Sequence, residues 1–583
     1  MGAPAPNERL DPHAWAAPPP GGLRRYVPIV TWLPAYELRW LRFDAIAGAT
    51  LWGLLIPEMI AYAGLAGLPP QAGLYTLLAS LAAYALFGTS RHLVVAGTSA
   101  SAVLLASGVA ALLRTSTTPH LDLAAGLVLI VGALFLAGGL LRLGFVAQFL
   151  SRPVTEGFVF GLAIFVTVNQ LPKIFGISQG PGDTIRQFFH VLTHLGDTSP
   201  ATFAVGGSAL VLLFGIELFA PKLPGGLIAL VFGIVASAVF DLSEHGVAVV
   251  GSIPKGLPSV SVPHLHATDV APLVATAAGM VLVILSESLG AARNFATKYG
   301  YEVDPNQEMI ALGVANIGSG FIGGLAAGGS LSQSAVNEGA GARTEVSPLF
   351  AALLAAITVI ALTPIFKDLP EAVLAAVIIN AVSHLWKVGD FIRYFAERRV
   401  EAILGLATLA GVITFNVLPG LVIGVVSMLL LVIYKSSRPH LSVLGEVPGL
   451  DGAFGDIGRH PEYRAIPGLL LLRLDSALFY ANASLVRDQI KVLAGSADPT
   501  PRAVILDIGA TIELDITSAQ TFIALTRTLH RGGIDFALAE VRSHVAKTAR
   551  RTGLLAALGD DRLFSTVEAA VESLRPRDAQ TDD

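Results

Sequence analysis

The sequence predicts a polytopic α-helical membrane protein of fourteen transmembrane segments, followed by a small cytoplasmic α/β domain. Three observations predict it. Hydrophobic residues make up 53% of the 583 residues and charged residues only 14%, against about 25% charge in an ordinary soluble domain. The mean hydropathy is +0.66. Charge is also unevenly placed, since residues 441–583 hold 34 of the 81 charged residues. That last stretch has soluble-like charge and a length that suits one small domain. Residues 1–440 are too poor in charge to cover a water-exposed surface.

The same composition excludes several classes. A chain this apolar is not intrinsically disordered. The absence of cysteine removes disulfide scaffolds, thiolate zinc sites and cysteine catalysis. A net charge of -5, spread along the chain, offers no basic face for nucleic acid. No Gly-Lys dipeptide occurs, so no Walker A loop exists. No enzyme constellation and no cofactor motif stands out, so transport is expected to run on a gradient.

Residues 1–23, rich in Ala and Pro, read as a disordered tail without the basic start and apolar core of a signal peptide. Residues 24–436 read as the membrane part. Apolar segments follow at 44–63, 68–87, 92–113, 121–141, 152–171, 200–219, 224–241, 269–290, 306–326, 330–341, 346–364, 369–386, 399–417 and 419–436, with lengths that mostly suit membrane spans. The third and tenth begin in Gly/Ser/Thr clusters, and the tenth is too short to cross alone. With the N-terminus cytoplasmic, the inner loops carry seventeen Lys and Arg and the outer loops five. The positive-inside rule then places both termini and the last domain in the cytoplasm.

Residues 437–575 read as that last domain with its linker, and 576–583 as a tail. Leu469–Leu474, Val504–Ile508 and Ile534–Ala539 read as strands. Helical patterns near 482–494, 518–530, 542–556 and 566–574 alternate with them, which predicts an α/β domain.

Two sequence matches recur at nearly one offset. Glu58 and Glu287 lie 229 residues apart, and Ser99-Ala100-Ser101-Ala102-Val103 and Ser332-Gln333-Ser334-Ala335-Val336 lie 233 apart. They predict two seven-span repeats. Because seven is odd, the second repeat is inverted. A helix that starts inside the membrane presents unpaired N–H groups with partial positive charge. Two such starts near the midplane make an anion site. Gly97-Thr98-Ser99 and Gly328-Gly329-Ser330-Leu331-Ser332 would let backbone approach and add hydroxyls, although small residues also simply pack helices. Carboxyls inside spans are costly and mark function, so Glu58 and Glu287 are the candidates for proton or cation coupling. Glu156, Glu217 and Glu371 lie nearer span ends, where structural roles are expected.

These residues resemble a known family. Ile56-Pro57-Glu58-Met59-Ile60-Ala61-Tyr62-Ala63 and Ala66-Gly67-Leu68-Pro69-Pro70-Gln71-Ala72-Gly73-Leu74-Tyr75 are similar to the first-span signature of the SulP (sulfate permease-like) anion transporters. Asn306 to Ile317 resembles the ninth-span signature, and Gly329 to Asn337 the tenth. Ser437 to Gly445 resembles the join to a C-terminal STAS domain. The resemblance implies fourteen spans in two inverted halves, a core and a gate domain, elevator-like alternating access and a homodimer.

It also implies a sulfate, bicarbonate, chloride or dicarboxylate substrate, bound by Glu58, Tyr62, Thr98, Ser99, Ser330, Leu331, Ser332 and Gln333. Glu287 matches a position linked to cation coupling. Two departures from the family pattern are Glu58, where Gln is common, and Gln333, where Arg is common. A second acid beside an anion favours proton coupling. Ala291, one turn from Glu287, offers no oxygen, which disfavours sodium. In the STAS part Thr517 aligns with a phosphorylated serine of related regulators, while Asp515-Ile516-Thr517-Ser518 also reads as a helix N-cap.

The expected function is proton-coupled anion symport in a bacterial inner membrane, with membrane lipids around it and no metal or other cofactor. The alternatives are an uncoupled exchanger or chloride conductor, a STAS-based membrane regulator and a nucleobase carrier on the same fold.

Overall fold

The computed structural model describes residues 26–575 apart from 150, 181, 221, 222, 387 and 416. The tails read at 1–23 and 576–583 lie outside the described residues, as do the inner-loop cations Arg24, Arg25, Lys222 and Lys387. The chain forms two compact units, Met1–Met428 and Leu429–Asp583.

Each of the fourteen apolar segments contains a helix. The first unit holds α1 (Leu41–Leu65), α2 (Pro70–Phe87), β1 (Val94–Gly97), α3 (Ser99–Leu112), α4 (His120–Leu140), α5 (Arg152–Phe175), α6 (Thr184–Thr193), α7 (Pro200–Phe219) and α8 (Gly225–Phe240). It continues with α9 (Ala267–Tyr299), α10 (Pro305–Phe321), β2 (Ala327–Ser330), α11 (Leu331–Gly339), α12 (Val346–Ile357), α13 (Glu371–Ser383), α14 (Val388–Glu397) and α15 (Arg399–Phe415), and α16 (Val417–Ser437) spans the division at Met428. Among the described residues, seven helices are long and apolar enough to cross a membrane. Three shorter apolar ones are α3, α8 and α13.

Packing sorts these helices into two groups, in keeping with a core and a gate. α1, α2, α3 and α4 pack with α9, α10, α11 and α12, while α5 packs with α7, α13 and α15. Small residues let the backbones meet, as expected where lipid supplies no hydrophobic drive between helices. A Cβ on Gly73 would sit 1.9 Å from the Met59 carbonyl oxygen. The α1–α2 crossing therefore requires glycine, and it fixes α1 next to Glu58.

Three departures from the sequence reading have clear causes. Spans three and ten do not begin as helix, because Val94–Gly97 and Ala327–Ser330 form an antiparallel two-stranded ribbon. Irregular backbone at membrane depth must pair within the protein, and here the two segments pair with each other. The eighth segment extends to Tyr299 and has 33 residues, about 50 Å of helix. That exceeds the roughly 30 Å hydrocarbon core, so Arg293 and Lys298 lie on helix rather than in a loop. The amphipathic helices α6 and α14 fall outside the fourteen segments.

The second unit carries one five-stranded sheet in the order β4-β3-β5-β6-β7. Its strands are β3 (Leu441–Glu446), β4 (Phe454–Asp456), β5 (Leu469–Leu474), β6 (Ala503–Asp507) and β7 (Asp535–Ala539). β5, β6 and β7 run parallel, with Leu471 opposite Ile505 and Ile505 opposite Ala537. β3 and β4 add an antiparallel edge. The helices are α17 (Ala483–Ser496), α18 (Ile516–Arg531), α19 (Ser543–Thr552), α20 (Leu554–Leu558) and α21 (Val567–Leu574). Leu472, Leu506 and Phe536 face Phe522 and Leu525 in one core, and Leu471 and Ile505 face Val567 and Val571 in another. Burial on both faces explains why the parallel strands read as continuous apolar runs.

Candidate functional site

The β1–β2 ribbon organises the site. Val94 lies opposite Ser330, and Gly97 opposite Ala327. The strands are antiparallel and each runs straight into a helix, so α3 and α11 leave opposite ends with both N-termini against the ribbon. Equivalent strand–helix units running in opposite directions are what an inverted repeat produces.

Both starts are capped. Thr98 Oγ1 accepts from Ser101 N, and Ser101 Oγ accepts from Thr98 N, a reciprocal capping box. Ser330 Oγ accepts from Gln333 N. The caps occupy two backbone donors at the α3 start and one at the α11 start. The N–H groups of Ser99 and Ala100, and of Leu331 and Ser332, have no preceding helical carbonyl to meet.

Side chains from five helices hold the ribbon in place, among them Ser334 on α11, which accepts from Val94 N at 2.8 Å. Ser101 Oγ donates to Ala326 O at 2.7 Å. Asn316 on α10 donates to Ala327 O and accepts from Ala327 N, both at 2.9 Å. Thr76 on α2 accepts from Leu325 N at 2.6 Å. Ser288 on α9 accepts from Gly329 N at 2.7 Å. A Cβ on Gly329 would fall 2.9 Å from both Leu93 methyls and 3.0 Å from Ser288 Cα. Only glycine lets β2 lie this close to α9, directly beside Glu287.

The sequence-predicted residues gather here to different degrees. Glu58, on α1 after Pro57, is buried. Gln333 is 1% exposed, and its Nε2 donates to Glu58 Oε2 at 2.9 Å and to Gly97 O at 3.2 Å. Gln333 thus ties the α11 start to α1 and to the end of β1. Tyr62, one turn beyond Glu58, lies within hydroxyl reach of Ser99 and within electrostatic range of both Glu58 and Glu287. Thr98 is buried and Ser99 half-buried. Ser330 and Ser332 hydroxyls are 3.1 Å apart, and Leu331 and Ser332 are exposed. Glu287 is half-buried and makes no hydrogen bond or ion pair among the described residues.

Thr517 belongs to the other unit. It is exposed, and the cap of α18 is Asp515, which accepts from Ser518 N at 2.9 Å and from Ser518 Oγ at 2.6 Å. Of the acids expected in structural roles, Glu371 pairs with Lys173 at 2.9 Å and Glu217 with Asn380 at 3.0 Å.

A model of the sulfate permease family matches residues 41–408. The chain belongs to the sulfate permease family. A STAS domain model matches residues 460–570. A "Probable sulfate transporter" of Mycobacterium tuberculosis is 35% identical over 95% of this chain and 98% of its own length. "Sulfate transporter 4.1, chloroplastic" of Arabidopsis thaliana is 31% identical over 94% of this chain and 82% of its own.

Among solved structures, SLC26A9 superposes with a TM-score of 0.86 at 22% identity, covering 96% of this chain and 93% of that one. The transmembrane domain of the cyanobacterial bicarbonate transporter BicA gives 0.60 at 22% identity, covering 67% and 98%. At that identity the likeness is one of fold. This sulfate permease family member is therefore a multi-pass membrane transporter with a C-terminal STAS domain, and not an enzyme.

Sequence reading passed over the residues that support the site in this family member. Ser288 neighbours Glu287, and Asn316 lies inside the ninth-span signature. Each was legible as a polar residue within an apolar span. Their partners are backbone atoms of β2, and no sequence spacing reveals those.

Proposed function

We propose that the protein is a secondary active transporter of a small inorganic oxyanion, sulfate first, driven by proton symport. The observation that carries this is the ribbon that sets two helix N-termini beside Glu58 and Gln333. Four backbone N–H groups and the hydroxyls of Ser99, Ser330 and Ser332 supply donors for an anion without a fixed cation. The relatives bear sulfate transporter names, which makes sulfate the first substrate to test.

Glu58 and Glu287 are the proposed proton carriers. A carboxylate beside an anion repels it, so the site favours a proton and an anion together. Glu287 suits this role because, among the described residues, no basic residue or hydroxyl bonds to its oxygens. The proposed cycle is elevator-like. The group containing α1, α3, α9 and α11 carries the anion past the α5–α7–α13–α15 group, in a homodimer in a bacterial inner membrane with both termini cytoplasmic.

Proteoliposome uptake of radiolabelled sulfate tests the proposal. An inwardly directed proton gradient should raise accumulation in the wild type and lose its effect in Glu287→Gln. Uptake indifferent to the gradient would remove the coupling claim. No uptake of sulfate, bicarbonate or a C4-dicarboxylate would remove the transport assignment.

A further inference from the structure

We infer that a cavity at the C-terminal ends of α1, α3 and α5 is a second anion-binding site. There Arg114 and Lys173 capture the anion before it reaches the helix starts. This rests on the transport reading above. The cavity measures about 590 Å³ and is lined by Arg114, Lys173, Asn169 and Gln170 among others. Val103 and Ser107, one and two turns along α3 from Ser99, also line it, so it runs along α3 toward the ribbon. A second cavity of about 240 Å³ shares Gly64, Gln170 and Lys173 with the first and reaches Ile60 and Ala61. Those two residues directly follow Glu58 and Met59 on α1.

The charges in these cavities favour an anion. Lys173 pairs with Glu371 at 2.9 Å, and Glu371 lines the second cavity. Arg114 makes no ion pair among the described residues and faces the same space. One net positive charge remains over the two cavities. Gln170 lines both cavities and is only 4% exposed, and its Oε1 has no hydrogen-bond partner. A buried carboxamide without a partner is uncommon, and its oxygen and nitrogen interchange by a simple flip. Flipped, it offers N–H donors to an anion held by Arg114. Asn169 is already committed, donating to Phe165 O at 2.7 Å and accepting from Gln179 at 3.1 Å. Lys173 lies in the last turn of α5 and Arg114 just past the C-cap of α3, so each also suits the negative end of a helix. That role alone does not account for two helices turning their cations into one cavity beside an unpartnered amide.

The test uses the full-length protein. Uptake of sulfate, bicarbonate and chloride is measured in proteoliposomes, and thermal stabilisation by the same anions in detergent. Arg114→Gln, alone and combined with Lys173→Gln and Glu371→Gln to keep that pair neutral, should raise KM about tenfold, as expected for loss of local anion enrichment. The maximal rate should stay within about twofold of the wild type. Arg114→Lys should retain the wild-type KM, which separates charge from fold. Lys255→Gln, which removes a cation lining neither cavity, should change nothing.

An unchanged KM in Arg114→Gln overturns the inference. So does an equal rise in Lys255→Gln, which would mark a diffuse surface potential. If the wild type takes up none of the three anions, the transport reading fails by itself. The cavity site is then judged by stabilisation. Anion stabilisation that survives Glu58→Gln and disappears in the triple variant supports it, and any other pattern overturns it.

Discussion

Gly329→Ala is the sharpest probe of the ribbon. The added methyl would lie 2.9 Å from both Leu93 methyls and 3.0 Å from Ser288 Cα, well inside the optimal carbon separation of about 3.5–4.0 Å. Leu93 is fully buried, and Ser288 Cα is backbone in the long helix α9, so neither yields without moving an element. Overpacking of this kind costs about 1–3 kcal/mol. If β2 shifts instead, the 2.7 Å bond from Gly329 N to Ser288 Oγ breaks. An unsatisfied buried donor costs about 1–3 kcal/mol more.

The terms share one displacement and are not additive, so a loss of about 2–4 kcal/mol is expected. The shift also carries the Ser330 cap away from its place. The assay is thermal unfolding with anion uptake, beside Gly207→Ala, where nothing lies within 4 Å of the new methyl. Gly329→Ala should lower the unfolding midpoint and abolish most uptake, and Gly207→Ala should do neither. Wild-type stability and KM in Gly329→Ala would refute the reasoning.

Further expectations follow from the same geometry. Thr98→Ala removes the cap on Ser101 N and should cost about 1 kcal/mol, with a raised KM for the transported anion. Gln333→Arg replaces the amide at Glu58 with a cation and should pair with that carboxylate. Anion uptake should then persist but respond less to a proton gradient, measured as the uptake ratio with and without it. The chain has no cysteine, so single-cysteine variants report orientation without background. Lys255→Cys should react with an impermeant maleimide from outside intact cells, and Arg438→Cys only after lysis.

Much of this architecture was readable from composition and spacing. The apolar segments marked where helices lie because lipid demands long runs of apolar helix. The parallel strands Leu469–Leu474 and Ala503–Asp507 stood out because both of their faces are buried. β3 escaped notice because its sequence Leu-Ser-Val-Leu-Gly-Glu is neither a continuous apolar run nor a clean alternation, and because it follows a membrane helix directly. The Glu58 and Glu287 offset pointed to the site, and the structure places both acids beside the ribbon.

The ribbon itself was invisible. Val94–Gly97 and Ala327–Ser330 are four residues each, with no alternation to distinguish strand from helix. Their pairing joins positions more than two hundred residues apart. The Gln333–Glu58 bond was hidden for the same reason. Sequence indicated that each residue matters, and only the antiparallel pairing of the strands brings them together.

The most direct measurement is to locate a bound anion. Crystals grown with selenate, and separately with bromide, would show its position by anomalous scattering. The account predicts a peak between the starts of α3 and α11, near Ser99 and Ser332 and beside Glu58. Peaks confined to other parts of the membrane unit, with that space empty for both anions, would contradict it.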